Sequence, residues 1–245
     1  MSKNTFFIGD VHGRSDWEKM LLIALPKFWH IVFLGDYVDS FDIPPYKILD
    51  NLRKIIGYKK KKYGERITLL LGNHDYAYID KHISTSGYNH QFAIEYRNLL
   101  IENFDLFDVA WGYENDNKQY TLATHAGLTL TYYNNYVKPL IEDPNSKINK
   151  ITNGKGNELK LHQVLNYMKH EDILWKVGAE RGGMGCPGPL WADYNELISD
   201  VYPNINQVVG HTAIGPVRIG KSKSSTIYKV DGELSKGTSN LLIEL

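Results

Sequence analysis

Three apolar runs in the first third of the chain, residues 5–8, 31–34 and 67–71, each stop at a glycine followed within one residue by Asp or Asn. Short continuous runs of this kind read as strands covered on both faces. Between them lie two stretches with helical spacing. Trp17, Met20, Leu21 and Ala24 mark the first as far as Pro26, with Ser15 and Glu18 placed to form a capping box. Pro45 opens the second, in which Ile48, Leu49, Leu52, Ile55 and Ile56 share a face. Strands alternating with amphipathic helices imply a parallel sheet. The glycine turns then fall at the C-terminal strand ends, where open α/β sheets assemble their ligand sites.

Those turns carry one kind of chemistry. They read Gly9-Asp10-Val11-His12-Gly13, Gly35-Asp36-Tyr37-Val38-Asp39 and Gly72-Asn73-His74-Asp75, and His125 and Gly210-His211-Thr212 follow further along. Flanking glycines let the backbone turn tightly, so that a short side chain can point into a shared cleft. Carboxylate, imidazole and amide oxygen suit borderline or hard divalent cations rather than a thiolate-seeking ion. A single Asp after Gly is an ordinary turn former. The repetition at successive strand ends is what marks a metal site. His30, His82, His90, His162 and His170 lack such a context and read as structural or surface groups.

A chain of 245 residues can bury one large core, and a single domain is expected. Its 28 acidic and 28 basic residues balance, so charge does not indicate a nucleic-acid partner. Cys186 stands alone in a Gly-rich loop, which excludes an intrachain disulfide and reads as a bystander thiol. The opening Met1-Ser2-Lys3-Asn4 does not resemble a signal peptide, and no run of about 18 apolar residues offers a membrane span. A cytoplasmic protein is the expectation. Lys59 to Lys62 form a basic run at the end of the second helix, read as a solvated helix terminus. Tyr76, Tyr78 and Tyr88 follow the third motif and serve equally as pocket wall or core.

Past residue 80 the pattern weakens. Residues 88–103 and 157–169 read as helices, and 106–111 with 119–125 as antiparallel strands joined across 114–117. The polar stretch from Thr131 reads, with the loop at 178–189, as a helical and loop cap spanning about 131–189. Strands return at 207–209, 217–219, 226–230 and 241–244.

The ordered set GDVHG, GDYVD, GNHD, THAG and GHT resembles the calcineurin-like metallophosphoesterase superfamily, nearest its serine/threonine protein phosphatase branch with the bacterial and phage members. The closing stretch 225–232 is similar to that branch as well. The resemblance implies an α/β fold, a two-sheet β-sandwich flanked by helices. It also implies two divalent ions, Mn²⁺ first with Fe or Zn²⁺ as alternatives, acting on a phosphorylated protein or a small phosphoester. Carried over by position, Asp10 and His12 hold the first metal and Asp36 bridges both. Asn73, His125 and His211 complete the second, with Asn73 also facing substrate. A bridging hydroxide attacks phosphorus in line, and the clamp of two cations about 4 Å apart neutralises the phosphate. His74 protonates the leaving oxygen while Asp39 orients its imidazole.

Two departures stand out. In that branch Arg-Gly follows GDxVD, whereas here Ser40-Phe41 follow, and a serine lacks the fork by which Arg grips phosphate. Arg181 is the leading replacement, with Arg14 second. The last motif, Gly210-His211-Thr212-Ala213, lacks the additional histidine of Gly-His-x-His phosphodiesterases, which favours monoester chemistry. Hydrolysis of nucleotide, RNA or dinucleoside polyphosphate esters is the alternative, and a non-catalytic scaffold a third.

Overall fold

The computed structural model describes residues 4–61, 63–80, 85–213, 218–222, 224–230 and 241–243. Lys62, His82, Val217, Glu244 and residues 231–232 of the expectations above lie outside them. The chain is mixed α/β, with two five-stranded sheets and flanking helices among the described residues, and divides into two compact units. One comprises Met1–Asp108, Ala213–Arg218 and Val230–Leu245, the other Val109–Thr212 and Ile219–Lys229. Among the described residues no helix is long and apolar enough to cross a membrane.

In the first unit, β1 (Thr5–Ile8), β2 (His30–Phe33), β3 (Ile67–Leu70) and β4 (Phe107–Asp108) run parallel in that order. The last strand, Leu241–Ile243, adds antiparallel to β1. Every residue of β1, β2 and β3 is buried, as continuous apolar runs require. Helix α1 (Asp16–Ala24) turns Trp17, Leu21 and Ala24 inward, and α2 (Pro45–Lys60) carries its proline at the first turn, where the missing N–H costs nothing. The capping box expected at Ser15 is not formed. Ser15 adopts helical angles (φ −100°, ψ −3°), and its hydroxyl makes no cap bond. Glu18 instead accepts from the Tyr58 hydroxyl at 3.4 Å. Lys59, first of the basic run, donates to the carbonyls of Gly64 and Ile67. Helix α3 (Asn73–Asp80) begins inside the third motif. Helix α4 (Ala93–Glu102) starts later than residue 88, because the Asn89 side chain accepts the N–H of Phe92 and closes a turn there.

The stretch 106–111 is not one strand. It splits between the two sheets, with Phe107–Asp108 parallel to β3 and β5 (Ala110–Glu114) antiparallel to β6 (Tyr120–Thr124). Asn166 accounts for the break, its Oδ1 accepting the N–H groups of both Val109 and Ala110. The second unit continues through short helices α5 (Leu130–Tyr132), α6 (Lys138–Glu142) and α7 (Lys147–Ile151). Then come α8 (Leu161–Tyr167), with a 3₁₀ turn Met168–His170, and α9 (Tyr194–Ser199). Strands β7 (Asn206–Val209), β8 (Arg218–Ser222) and β9 (Ser225–Lys229) give the sheet order β5-β6-β7-β9-β8. Within the loop at 178–189 sits a 3₁₀ turn, Ala179–Arg181.

Candidate active site

Backbone geometry aims the first unit's site residues. His12, Asp36 and Asp39 have φ of 43°, 50° and 64°, the left-handed region that non-glycine residues rarely enter. Each such residue costs on the order of 1–3 kcal/mol and persists only where its surroundings hold it. The holding groups are visible. The carbonyl of Asp36 accepts the N–H of Val11 at 3.1 Å and of His12 at 2.7 Å, tying the first turn to the second. Asp75, fully buried, accepts the N–H of Tyr37 and of Gly72, both at 2.9 Å, tying the second turn to the third. Gly72 is required by this close approach. A Cβ there would lie 2.1 Å from Asp36 Oδ1 and 2.4 Å from its backbone nitrogen.

Within that frame His12, Asp36 and His74 each present a ligand atom, all within 4.8 Å of one another. His12 Nδ1 lies 3.1 Å from the carbonyl of Val38 and 3.0 Å from that of Asp39, so it donates there and leaves Nε2 as the unprotonated nitrogen. That Nε2 is 3.7 Å from Asp36 Oδ2. Asp36 Oδ1 accepts the N–H of His74 at 3.0 Å. Asp10 and Asn73 are buried at the end of β1 and the start of α3, Asp10 not being a member of the cluster. A buried carboxylate facing a lone-pair imidazole nitrogen fits a divalent cation of intermediate hardness.

His74 belongs to the cluster, yet its Nδ1 is engaged by Asp39 Oδ2 at 2.8 Å. Asp39 is in turn gripped by the hydroxyls of Tyr78 and Thr85. Burial, and then the Asp39 charge, push the Tyr78 hydroxyl far above the ordinary phenol value. Arg14 places one terminal nitrogen 2.6 and 2.8 Å from the two oxygens of Asp42, and Ser40 also donates to Asp42. Those bonds, Ser40's first, hold the Asp42 carboxyl below its usual range. Ser40, standing where the arginine was missing, thus has its hydroxyl turned onto a neighbouring carboxylate.

The second unit carries the remaining histidines. His125, fully buried after β6, has Nε2 3.1 Å from Nδ1 of His211, whose φ is 66°. Gly210 N–H donates to the carbonyl of His125, aligning the two turns. Two imidazole nitrogens this close, one at most carrying a proton between them, also fit a cation. Arg181 is held beside them. Its Nε donates to Asp193 Oδ2 at 3.1 Å and one terminal nitrogen to the hydroxyl of Thr212, the residue after His211. Asp193 also caps α9 in a full capping box with Glu196, so the arginine hangs from a rigid helix start.

Asp75, Thr85 and Asp42 receive no role from the sequence, and Tyr78 reads there only as pocket wall or core, not as a partner of Asp39. Tyr78 could have been found, because it follows His74 by four residues on one helix and so shares its face. Asp75 lay inside a motif already singled out, and Thr85 left no local signal.

The profile of the calcineurin-like phosphoesterase family matches residues 3–215. Comparison with curated proteins finds no match. Among solved structures the chain is similar to a metallophosphoesterase from Sphaerobacter thermophilus, with 11% identity and a TM-score of 0.44 over 94% of this chain and 76% of that one. It is also similar to Yfce, a phosphoesterase from E. coli, with 12% identity and a TM-score of 0.35 over 92% and 78% of the two chains. The profile match takes in all five motifs, and the chain belongs to the calcineurin-like phosphoesterase family, whose members are metal-dependent phosphoester hydrolases.

Proposed function

We propose that the protein is a phosphomonoesterase of the serine/threonine protein phosphatase kind, acting with two divalent ions, Mn²⁺ ahead of Fe or Zn²⁺. The observation that carries this reading is the 2.8 Å bond between His74 Nδ1 and Asp39 Oδ2 beside the His12–Asp36 pair. By motif position alone, as the family resemblance carries it over, Asp10, His12 and Asp36 are assigned to one ion, and Asp36, Asn73, His125 and His211 to the other. Bound there, the ions supply an activated water and neutralise the phosphate oxygens. The chain's own part is acid catalysis and positioning. His74 delivers a proton to the leaving oxygen, which an alkoxide of high pKa needs far more than a phenolate does. Arg181 receives the phosphate, its fork steadied by Asp193 and Thr212. Arg14 takes a lesser share, since Asp42 already engages it.

One observation favours a second reading. Phe41, two residues past Asp39, is 88% exposed and offers a flat face to a nucleobase, as a dinucleoside polyphosphate would present. Turnover of a phosphoserine peptide, diadenosine tetraphosphate and bis-p-nitrophenyl phosphate by Mn²⁺-loaded protein separates these. The phosphopeptide is expected to lead. Predominant turnover of the tetraphosphate or the diester would overturn the proposal, and no turnover of any would restore the scaffold reading.

A further inference from the structure

We propose that Tyr78 and Thr85 are positioning residues of the acid dyad, setting the orientation in which Asp39 presents one oxygen to His74. This rests on the reading of His74 as the acid. Asp39 is 2% exposed and left-handed at its backbone, so its carboxylate has few ways to be satisfied. The described contacts divide it cleanly. Oδ2 meets His74 Nδ1 at 2.8 Å and accepts the Thr85 hydroxyl at 3.0 Å, while Oδ1 accepts the Tyr78 hydroxyl.

The Tyr78 hydroxyl has a defined direction. It accepts the backbone N–H of Asn89 at 2.8 Å, so its own proton points to Asp39. Its ring is equally constrained, stacked on Tyr88 at 4.3 Å and 11° and set edge-on to Tyr96 at 5.2 Å and 87°. Tyr96 is anchored by its hydroxyl to the carbonyl of Pro45. His74 and Tyr78 stand one turn apart on α3 and converge on the same carboxylate from the same helix face. A tyrosine serving only to fill the aromatic cluster would not need its hydroxyl placed between a backbone donor and Asp39.

With the grip intact, Asp39 Oδ2 holds His74 in the tautomer whose other nitrogen faces the leaving group. Removing one donor lets the carboxylate rotate, and the loss falls on substrates that need the proton most.

The test compares a phosphoserine peptide with p-nitrophenyl phosphate, using Mn²⁺-loaded parent, Tyr78→Phe, Thr85→Val, Thr85→Ser and His74→Ala chains. Tyr78→Phe and Thr85→Val are expected to lower kcat on the peptide about 10-fold more than on the aryl ester, a fraction of what losing the acid itself costs, with KM little changed. Thr85→Ser, which keeps the hydroxyl, is expected to behave as the parent. In a His74→Ala background, Tyr78→Phe is expected to add nothing on either substrate. If His74→Ala discriminates between the substrates but Tyr78→Phe and Thr85→Val do not, the positioning role fails alone. It fails likewise if the Tyr78→Phe loss persists without His74. If His74→Ala itself hits both substrates equally, the acid reading falls and takes this proposal with it. Should Tyr78→Phe melt too low to assay, Thr85→Val decides, because valine matches threonine in shape.

Discussion

Asp36 Oδ1 accepts the backbone N–H of His74 at 3.0 Å, so one carboxylate both faces His12 and fastens the first turn of α3. Its ligand role and its structural role therefore come apart on substitution. Asp36→Asn keeps an oxygen for the His74 N–H but loses the charge that, in the proposed two-ion site, both cations would share. The folded chain is expected to survive with melting changed by less than about 1 kcal/mol equivalent. Mn²⁺ affinity is expected to fall more than the roughly 10–100-fold that removal of an outer-sphere partner costs. Titration calorimetry with Mn²⁺ reads this directly, and unchanged affinity would remove Asp36 from the ligand set.

Gly72→Ala brings the same region into conflict. A methyl group at 2.1 Å from Asp36 Oδ1 and 2.4 Å from its nitrogen meets backbone as well as side chain, so the second and third turns must separate. Overpacking of this kind costs about 1–3 kcal/mol. Both the denaturation midpoint and Mn²⁺ binding are expected to drop together. A variant that binds Mn²⁺ like the parent would show that the turns tolerate separation.

His30 governs part of the acid stability. Burial first, then the positive charges of Lys59 and Arg66, lower its pKa from the ordinary 6.5 to about 4, and its Nε2 contacts the Thr68 hydroxyl at 2.9 Å. The unfolded chain thus takes up this proton more readily than the folded one. Stability is full above pH 6.5 and is lost as pH falls towards about 4, by about 3 kcal/mol at roughly 1.4 kcal/mol per pH unit. Denaturant unfolding across pH 4 to 7 is expected to show this limb, flattened in His30→Gln. An unaltered limb in that variant would assign the loss to other groups.

Arg181→Ala removes a charged fork whose anchors, Asp193 and Thr212, remain. A hydrogen-bonded charge on phosphate is worth about 1.5–3 kcal/mol, so kcat/KM is expected to fall about 10–100-fold. Arg181→Lys should recover little, because a point charge cannot bridge both anchors and the substrate. Steady-state kinetics on a phosphoserine peptide decide it, and a parent-like kcat/KM would return the phosphate to another cation.

The strand–turn–helix frame of the first unit could be read from residues alone, since β1, β2 and β3 are buried on both faces and so show unbroken apolar runs. The motif letters led to His12, Asp36 and His74, which the fold does bring together. Other features depended on partners far along the chain. Asn166 splits 106–111 from more than 50 residues away, a separation of 57 from Val109, and no local pattern encodes that. Ser15 carried the letters of a cap without the extended backbone a cap requires. Thr85 reaches Asp39 across 46 residues, and Asp75 acts through backbone N–H groups, which every sequence possesses and none advertises.

The left-handed backbone at His12, Asp36, Asp39 and His211 has an evolutionary corollary. Glycine or asparagine would sit there with less backbone strain, so it is the contacts of these side chains that hold the residues present in place. A descendant released from hydrolysis could shed that strain only by also replacing the hydrogen bonds that the Asp36 and Asp39 carboxylates accept, so these two positions would be the slowest of the four to relax.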